Sequence, residues 1–170
     1  ERRRADVLAE VAATSLEAQI DAVLASPRPR PVVEALAAPG LHLIAEIKRF
    51  AEETAGVEHA VAVSSDGLLL ASSSSVSRDD GEQLSAVMSG LQALGIGVAD
   101  RFDRGDVEQI VIEMSGGYLF GTAISLGASL CVIAAKSCDM GMVAYEMALL
   151  CQRTASALSP ALIVELKNQA

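Results

Sequence analysis

The stretch PGLHLIAEIKRFAEETAGVEHAVAVSSDGLLLAS, residues 39–72, decides the fold, because its first half fits two structures. LHLIAEIKR, residues 41–49, fits a buried strand that ends in a reactive lysine, and it fits equally well the first turns of an amphipathic helix. The strand implies an enzyme, whereas the helix implies a binding module.

The spacing of the apolar residues favours the helix. They recur at i, i+1, i+4, i+7 and i+8, which is one face of a helix: Leu43, Ile44, Ile47, Phe50 and Ala51. Pro39-Gly40 precedes this pattern as a break, and Gly56 follows it as a stop. We therefore predict a helix whose charged residues, Lys48 among them, point to solvent.

After Gly56 the pattern alternates as in a β-strand. VEHAVAVS (57–64) places Val57, His59, Val61 and Val63 on one face, and Asp66-Gly67 is a favoured hairpin turn before LLLAS (68–72). These residues predict a β-hairpin.

A long helix is predicted over 77–102. Ser77 can cap it, and the two aspartates that follow Arg78 suit the positive end of the helix dipole. Its predicted apolar face consists of Leu84, Val87, Met88, Leu91, Leu94 and Val98.

Three more strands and a helix complete the pattern. DVEQIVIEM (106–114) alternates, YLFGTAIS (118–125) pairs back, and ASLCVIAA (128–135) is apolar throughout, as in a central strand. The last helix, within 139–158, presents Met140, Val143, Met147, Leu150 and Cys151. The order β-β-α-β-β-β-α predicts an α+β (layered α/β) fold, a five-stranded, mostly antiparallel sheet with helices packed on it. Residues 1–38 form a predicted helical extension, mobile or fused, ahead of a domain at 41–170.

Composition excludes several classes of partner. Residues 1–50 hold seven acidic and seven basic residues, whereas 51–170 hold fifteen acidic and six basic. An acidic domain without a basic stripe binds phosphate backbones poorly, so we expect no nucleic-acid partner. No apolar run reaches the ~18–20 residues of a membrane span, so we expect no membrane insertion. The three cysteines, an odd number without a C-x-x-C pair, predict reduced thiols and a cytoplasmic protein.

No motif for chemistry is recognisable. His42 and His59 lie far apart in sequence and lack zinc-ligand spacing. The glycine-containing stretches lack the lysine or the strand-to-helix context of a phosphate-binding loop. We therefore predict no catalytic residue, no metal and no cofactor, and expect that the function depends on a surface.

Four segments together resemble the roadblock/dynein light chain family in its actinobacterial form, over residues 41–170. They are GVEHAVAVSSDGLLLAS, EQLSAVMSGLQALG, VEQIVIEMSGGYLFGTAIS and DMGMVAYEMALL, and they occur in the family's order. The resemblance implies a non-catalytic homodimer in which the long helix packs antiparallel on its mate and the third strand pairs across the two-fold axis. Those elements are here 78–98 and 107–114. The implied interface residues are Leu84, Val87, Met88, Leu91, Leu94, Gln109, Val111 and Glu113.

The resemblance also implies partners and a role. Members of the family bind small Ras-like GTPases, and in bacteria they accompany such GTPases and sensor-kinase-like proteins. The expected function is therefore a regulator or scaffold of a small GTPase in a bacterial signalling system. A purely structural self-assembly module is the alternative within the same fold.

A second resemblance covers residues 1–49. RPVVEALAAPGLHLIAEIKR is similar to the N-terminal segment of indole-3-glycerol-phosphate synthase, which implies catalytic roles for Glu46 and Lys48. That family continues with a Ser-Pro-Ser phosphate-binding stretch, whereas this chain continues with FAEETAG. A single strand also cannot close a (β/α)8 barrel, which needs roughly 200 residues or more. A fragment or fusion of that enzyme, natural or artificial, is the alternative from another class.

Overall fold

The decisive stretch begins with a helix, α1 (Pro39–Glu53), in the computed structural model. The structure describes residues 39–125, 127–155, 158, 162–164 and 166. Leu43, Ile47 and Phe50 are buried on one face of α1, and Lys48 is exposed, as the spacing predicts. The barrel-strand interpretation of residues 41–49 is wrong. Pro39 and Gly40 are the first residues of α1, where the missing N–H of a proline costs nothing. The predicted break between this helix and the preceding residues borders on residues outside the described range and stays a prediction.

Five strands follow in one antiparallel sheet of order β2-β1-β5-β4-β3. The strands are β1 (Val57–Ser64), β2 (Leu69–Ser72), β3 (Gln109–Glu113), β4 (Gly117–Ser125) and β5 (Ala128–Ala135). Helix α2 (Arg78–Phe102) connects β2 to β3, and α3 (Met140–Ala155) follows β5. The predicted α+β fold and the central position of β5 are confirmed.

The sheet separates two apolar clusters. On one face, α1 packs over Ala60 and Ala62 of β1, and α3 packs over β4 and against α1. On the other face α2 covers Val61 and Val63. Because helices cover both faces, Ala60 and Ala62 of β1 are as buried as Val61 and Val63.

A β-bulge changes the face of the first residue of β1. Val57 pairs with Ala134 and His59 with Ile133, so Glu58 is the extra residue of the bulge and has no partner of its own on β5. Val57 consequently packs on the α1–α3 side, and Val61 and Val63 on the α2 side. The prediction that Val57 shares a face with His59 and the later valines is wrong for this reason.

The long helix α2 begins directly after Ser77, the cap that the sequence predicts. The Ser77 hydroxyl accepts the Asp80 N–H at 3.2 Å, with Asp79 and Asp80 in the first turn. At the other end Asp103 adopts a left-handed conformation, φ 52°, and its N–H donates to the Ala99 carbonyl.

The last helix differs from its predicted apolar face at its first residue. Val143, Met147 and Leu150 are buried, whereas Met140 is exposed and Cys151 is half-buried. Residues 162–164 and 166 are helical, as predicted for the segment after Pro160. The predictions for residues 1–38 lie outside the described residues, and the domain boundary near residue 40 stays a prediction.

Gly56, in the loop between α1 and β1, lies close to Cys138, in the loop between β5 and α3. Its φ is +85°, and a Cβ there would lie 2.6 Å from Cys138 Cβ. We expect Gly56→Ala to lower the free energy of unfolding by about 2–4 kcal/mol, through the left-handed conformation and the overlap together. Gly97→Ala, where a Cβ would meet nothing within 4 Å, is the matched control and should raise it by about 1 kcal/mol. Urea denaturation at one protein concentration measures both, and equal stability of Gly56→Ala and wild type would contradict the contact.

Candidate functional site

Helix α2 exposes a row of large apolar residues. Leu94 is 71% exposed, Phe102 65% and Val98 59%. The row continues towards the start of the helix with a spacing of three or four residues, so its members lie along one side: Leu84, Val87, Leu91, Leu94, Val98 and Phe102. Exposed singly, such residues are ordinary, but a contiguous row marks an interaction surface.

The side of α2 that faces its own sheet carries small residues instead. Gly81, Ser85 and Ala99 are buried there, together with Met88. The Ser85 hydroxyl donates to the Gly81 carbonyl at 2.7 Å, so its burial leaves no donor unpaired. Small residues let the helix approach the sheet closely, which leaves the larger side chains at its flank.

The row is continuous with part of the sheet. Ile110 and Ile112 of β3 lie on the α2 side and are only partly buried, as is Ile133 of β5. Gly95 lies where α2 meets β3, since a Cβ on it would lie 3.9 Å from Ile110 Cδ1. We call the row on α2 together with Ile110 and Ile112 the α2–β3 surface.

The edge strand β3 adds unpaired backbone groups to this surface. Met114 and Gly117 exchange both of their N–H···O bonds, so they form a hydrogen-bonded pair at the end of the hairpin. Because such pairs alternate along an antiparallel ladder, the backbone groups of Gln109, Val111 and Glu113 point away from β4. β3 is the last strand of the sheet on this side, so these groups face outward.

The side chains of Gln109, Val111 and Glu113 lie on the opposite face from Ile110 and Ile112, and all three are exposed. The Lys136 ammonium donates to the Glu113 carboxylate and lies 4.5 Å from the centre of the Tyr118 ring. The hydrogen bond to Glu113 raises the pKa of Lys136. This contact joins the end of β3 to the residue that follows β5.

The structure brings seven of the eight sequence-predicted interface residues to the surface. Leu84 and Leu91 are half-buried, and Val87, Leu94, Gln109, Val111 and Glu113 are exposed. Met88 is fully buried on the side of α2 that faces the sheet. Sequence reasoning missed Phe102, although it continues the three- and four-residue spacing by one turn, and it missed Ile110 and Ile112.

The pair Glu46 and Lys48 has a structural arrangement. Glu46 accepts from Arg49 at 2.6 Å on its own helix and from Arg153 of α3 at 2.9 Å, so it joins α1 to α3. Lys48 is exposed. Glu46 is therefore paired with two arginines, one on its own helix and one on α3.

The remaining reactive groups are dispersed. Within the residues described, no three His, Cys, Asp or Glu side chains are grouped to hold a metal ion. Burial raises the pKa of the Cys131 thiol to about 12 and that of Cys151 to about 11, which makes both poor nucleophiles near neutral pH. Among the helices described, none has the length and apolar character to cross a membrane.

Comparison with known proteins identifies relatives of the same architecture. The chain is similar to a Roadblock/LC7 domain from Streptomyces avermitilis, with 31% identity, a TM-score of 0.62 and coverage of 65% of this chain and 92% of that one. A second structure from this organism has 37% identity, a TM-score of 0.55 and coverage of 65% and 96%. Myxococcus xanthus MglB shares the fold at 17% identity, with a TM-score of 0.63 and coverage of 68% and 93%.

A search of curated proteins gives no match. The family model of the Roadblock/LC7 domain matches residues 43–134, from the second turn of α1 to the last but one residue of β5, which is more than half of the chain. With the same fold in the solved Streptomyces domains, this match shows that the chain belongs to the Roadblock/LC7 domain family.

Proposed function

We propose that this chain is a non-catalytic, homodimeric regulator or scaffold that binds a small Ras-like GTPase in a bacterial signalling system. The observation that carries the proposal is the α2–β3 surface, where large apolar residues of α2 face away from their own sheet. Membership of the family supports a binding role, and the dispersed reactive groups of the described residues fit it.

The proposed dimer joins two copies through α2 and β3. The helices pack antiparallel and bury Leu84, Val87, Leu91 and Leu94. Met88 packs between each helix and its own sheet. The two β3 strands pair through the outward backbone groups of Gln109, Val111 and Glu113, which turns two five-stranded sheets into one. This pairing also removes an exposed strand edge, which is a liability for a free protein.

The proposed partner acts through conformation. A dimeric platform that binds one nucleotide state of a GTPase more tightly than the other shifts the population of that state without chemistry of its own. We place this function in the cytoplasm, with sensor-kinase-like proteins as further partners.

The helix contact is tested by Leu94→Glu. We expect the full chain to be a dimer by light scattering, and the variant to dissociate about a hundredfold more easily, because burying an unpaired carboxylate costs roughly 3 kcal/mol or more. Ala93→Glu, one position along on the exposed outer side, should leave the dimer intact. Dissociation by both variants, or by neither, would argue against the helix contact.

The strand contact is tested by Val111→Pro. The Val111 N–H points to the free edge, so proline there removes a donor that only a second copy would use. We expect weaker dimerisation with the circular dichroism spectrum unchanged. Ile112→Pro, which instead removes a ladder bond to β4, should unfold the hairpin. A Val111→Pro dimer as tight as wild type would show that β3 does not pair.

GTPase binding is tested with purified Ras-like GTPases from the same genome, each loaded with GDP or a GTP analogue. We expect at least one to bind immobilised full-length chain with a preference for one nucleotide. Leu94→Glu should bind less, since the platform requires the dimer. A dimer that binds none in either state would favour a self-assembly module instead.

A further inference from the structure

A groove lies beside the first half of α2, between the helix and the sheet. It has a volume of about 420 Å³, enough for an aromatic ring, and its walls include Leu84 and Val87 of α2, Ile133 of β5 and His59 of β1. Val87 is exposed and Leu84 and Ile133 are half-buried, so an apolar group in this groove would cover surface that the single chain leaves open.

The His59 wall of the groove is held in place. The Ser75 hydroxyl donates its one hydrogen to the Glu58 carbonyl at 2.7 Å, and its oxygen lies 3.1 Å from His59 Nδ1. The oxygen therefore accepts from Nδ1–H. The imidazole is thus oriented by the neighbouring loop before anything enters the groove.

The large apolar side chain of Phe102 is mostly exposed in the single chain. This residue ends α2 and is 65% exposed. The row on α2 is symmetric: the pairs Leu84 and Phe102, Val87 and Val98, and Leu91 and Leu94 all have midpoints close to residue 93. A two-fold axis near that residue therefore places Phe102 of one copy opposite Leu84 of the other.

The same axis suits the edge strand. Val111 is the middle residue of β3, and its neighbour Ile110 lies next to Gly95 of α2. The centre of the row and the centre of β3 are thus adjacent in space. One axis can therefore serve both the helix contact and the strand contact, as an isologous dimer requires.

We propose that Phe102 of a second copy fills the groove formed by His59, Leu84, Val87 and Ile133, so that each chain completes the apolar site of the other. The inference rests on the homodimer proposed above and adds the residue that fixes its register.

Fluorescence tests the proposal directly, since the chain contains no tryptophan. In the full-length Phe102→Trp variant, we expect the emission to shift to the blue as protein concentration rises through the dimerisation range measured by light scattering. Ile96→Trp, 51% exposed on another side of α2, is the control and should not shift. The Leu94→Glu background should keep the emission at 102 at long wavelength at all concentrations.

A second variant covers the case in which tryptophan does not fit. We expect Phe102→Ala to weaken dimerisation by about tenfold or more, because two buried rings are lost per dimer, while Ile96→Ala leaves it unchanged. A dimer of wild-type affinity in Phe102→Ala, with an unshifted spectrum in Phe102→Trp, would overturn the groove contact and leave the dimer standing. A monomer at every concentration would overturn both proposals.

Discussion

The close packing of α2 on the sheet determines which residues form the α2–β3 surface. The end of the Met88 side chain occupies the space above Gly121 of β4, where a Cβ would lie only 2.2 Å from Met88 Cε. Gly81 and Ser85 are buried in the first half of the helix, and a Cβ on Gly81 would lie 2.9 Å from Leu69 Cδ2 of β2. Gly81, Ser85, Ala99 and the one long side chain of Met88 occupy the side of α2 that faces the sheet, so Leu94, Val98 and Phe102 remain on its flank. The apolar α2–β3 surface is therefore a consequence of how the single chain packs.

The parts of the fold that sequence predicts are those specified by local patterns. The spacing from Leu43 to Phe50 matches a helix face, the Asp66-Gly67 turn matches a hairpin, and Ser77 matches a helix cap. Each of these signals depends on residues within one or two turns of each other. For α1 the pattern was sufficient to choose between a strand and a helix, and so between an enzyme and a binding module.

Other features depend on partners distant in sequence and could not be predicted from spacing. Apolar spacing on α2 grouped Met88 with Leu84 and Leu94, but only the sheet beneath decides which of them lies inside. The bulge at Glu58 changes the face of Val57 through pairing with β5, more than seventy residues away. The ion pair of Glu46 with Arg153 spans 107 residues. The outward direction of the β3 backbone follows from its register with β4, which no single-strand pattern contains.

The symmetry of the proposed dimer constrains how a partner can bind. Pairing through α2 and β3 leaves the face of α1 and α3 uncovered, where Met140, Met142 and Tyr145 are exposed. This face occurs once per chain, so a partner that binds it alone would bind twice per dimer. A partner that contacts the two helices at the axis can bind only once, because its own surface is asymmetric and one copy blocks the equivalent position. The stoichiometry of the complex therefore distinguishes the two surfaces without a structure of the complex.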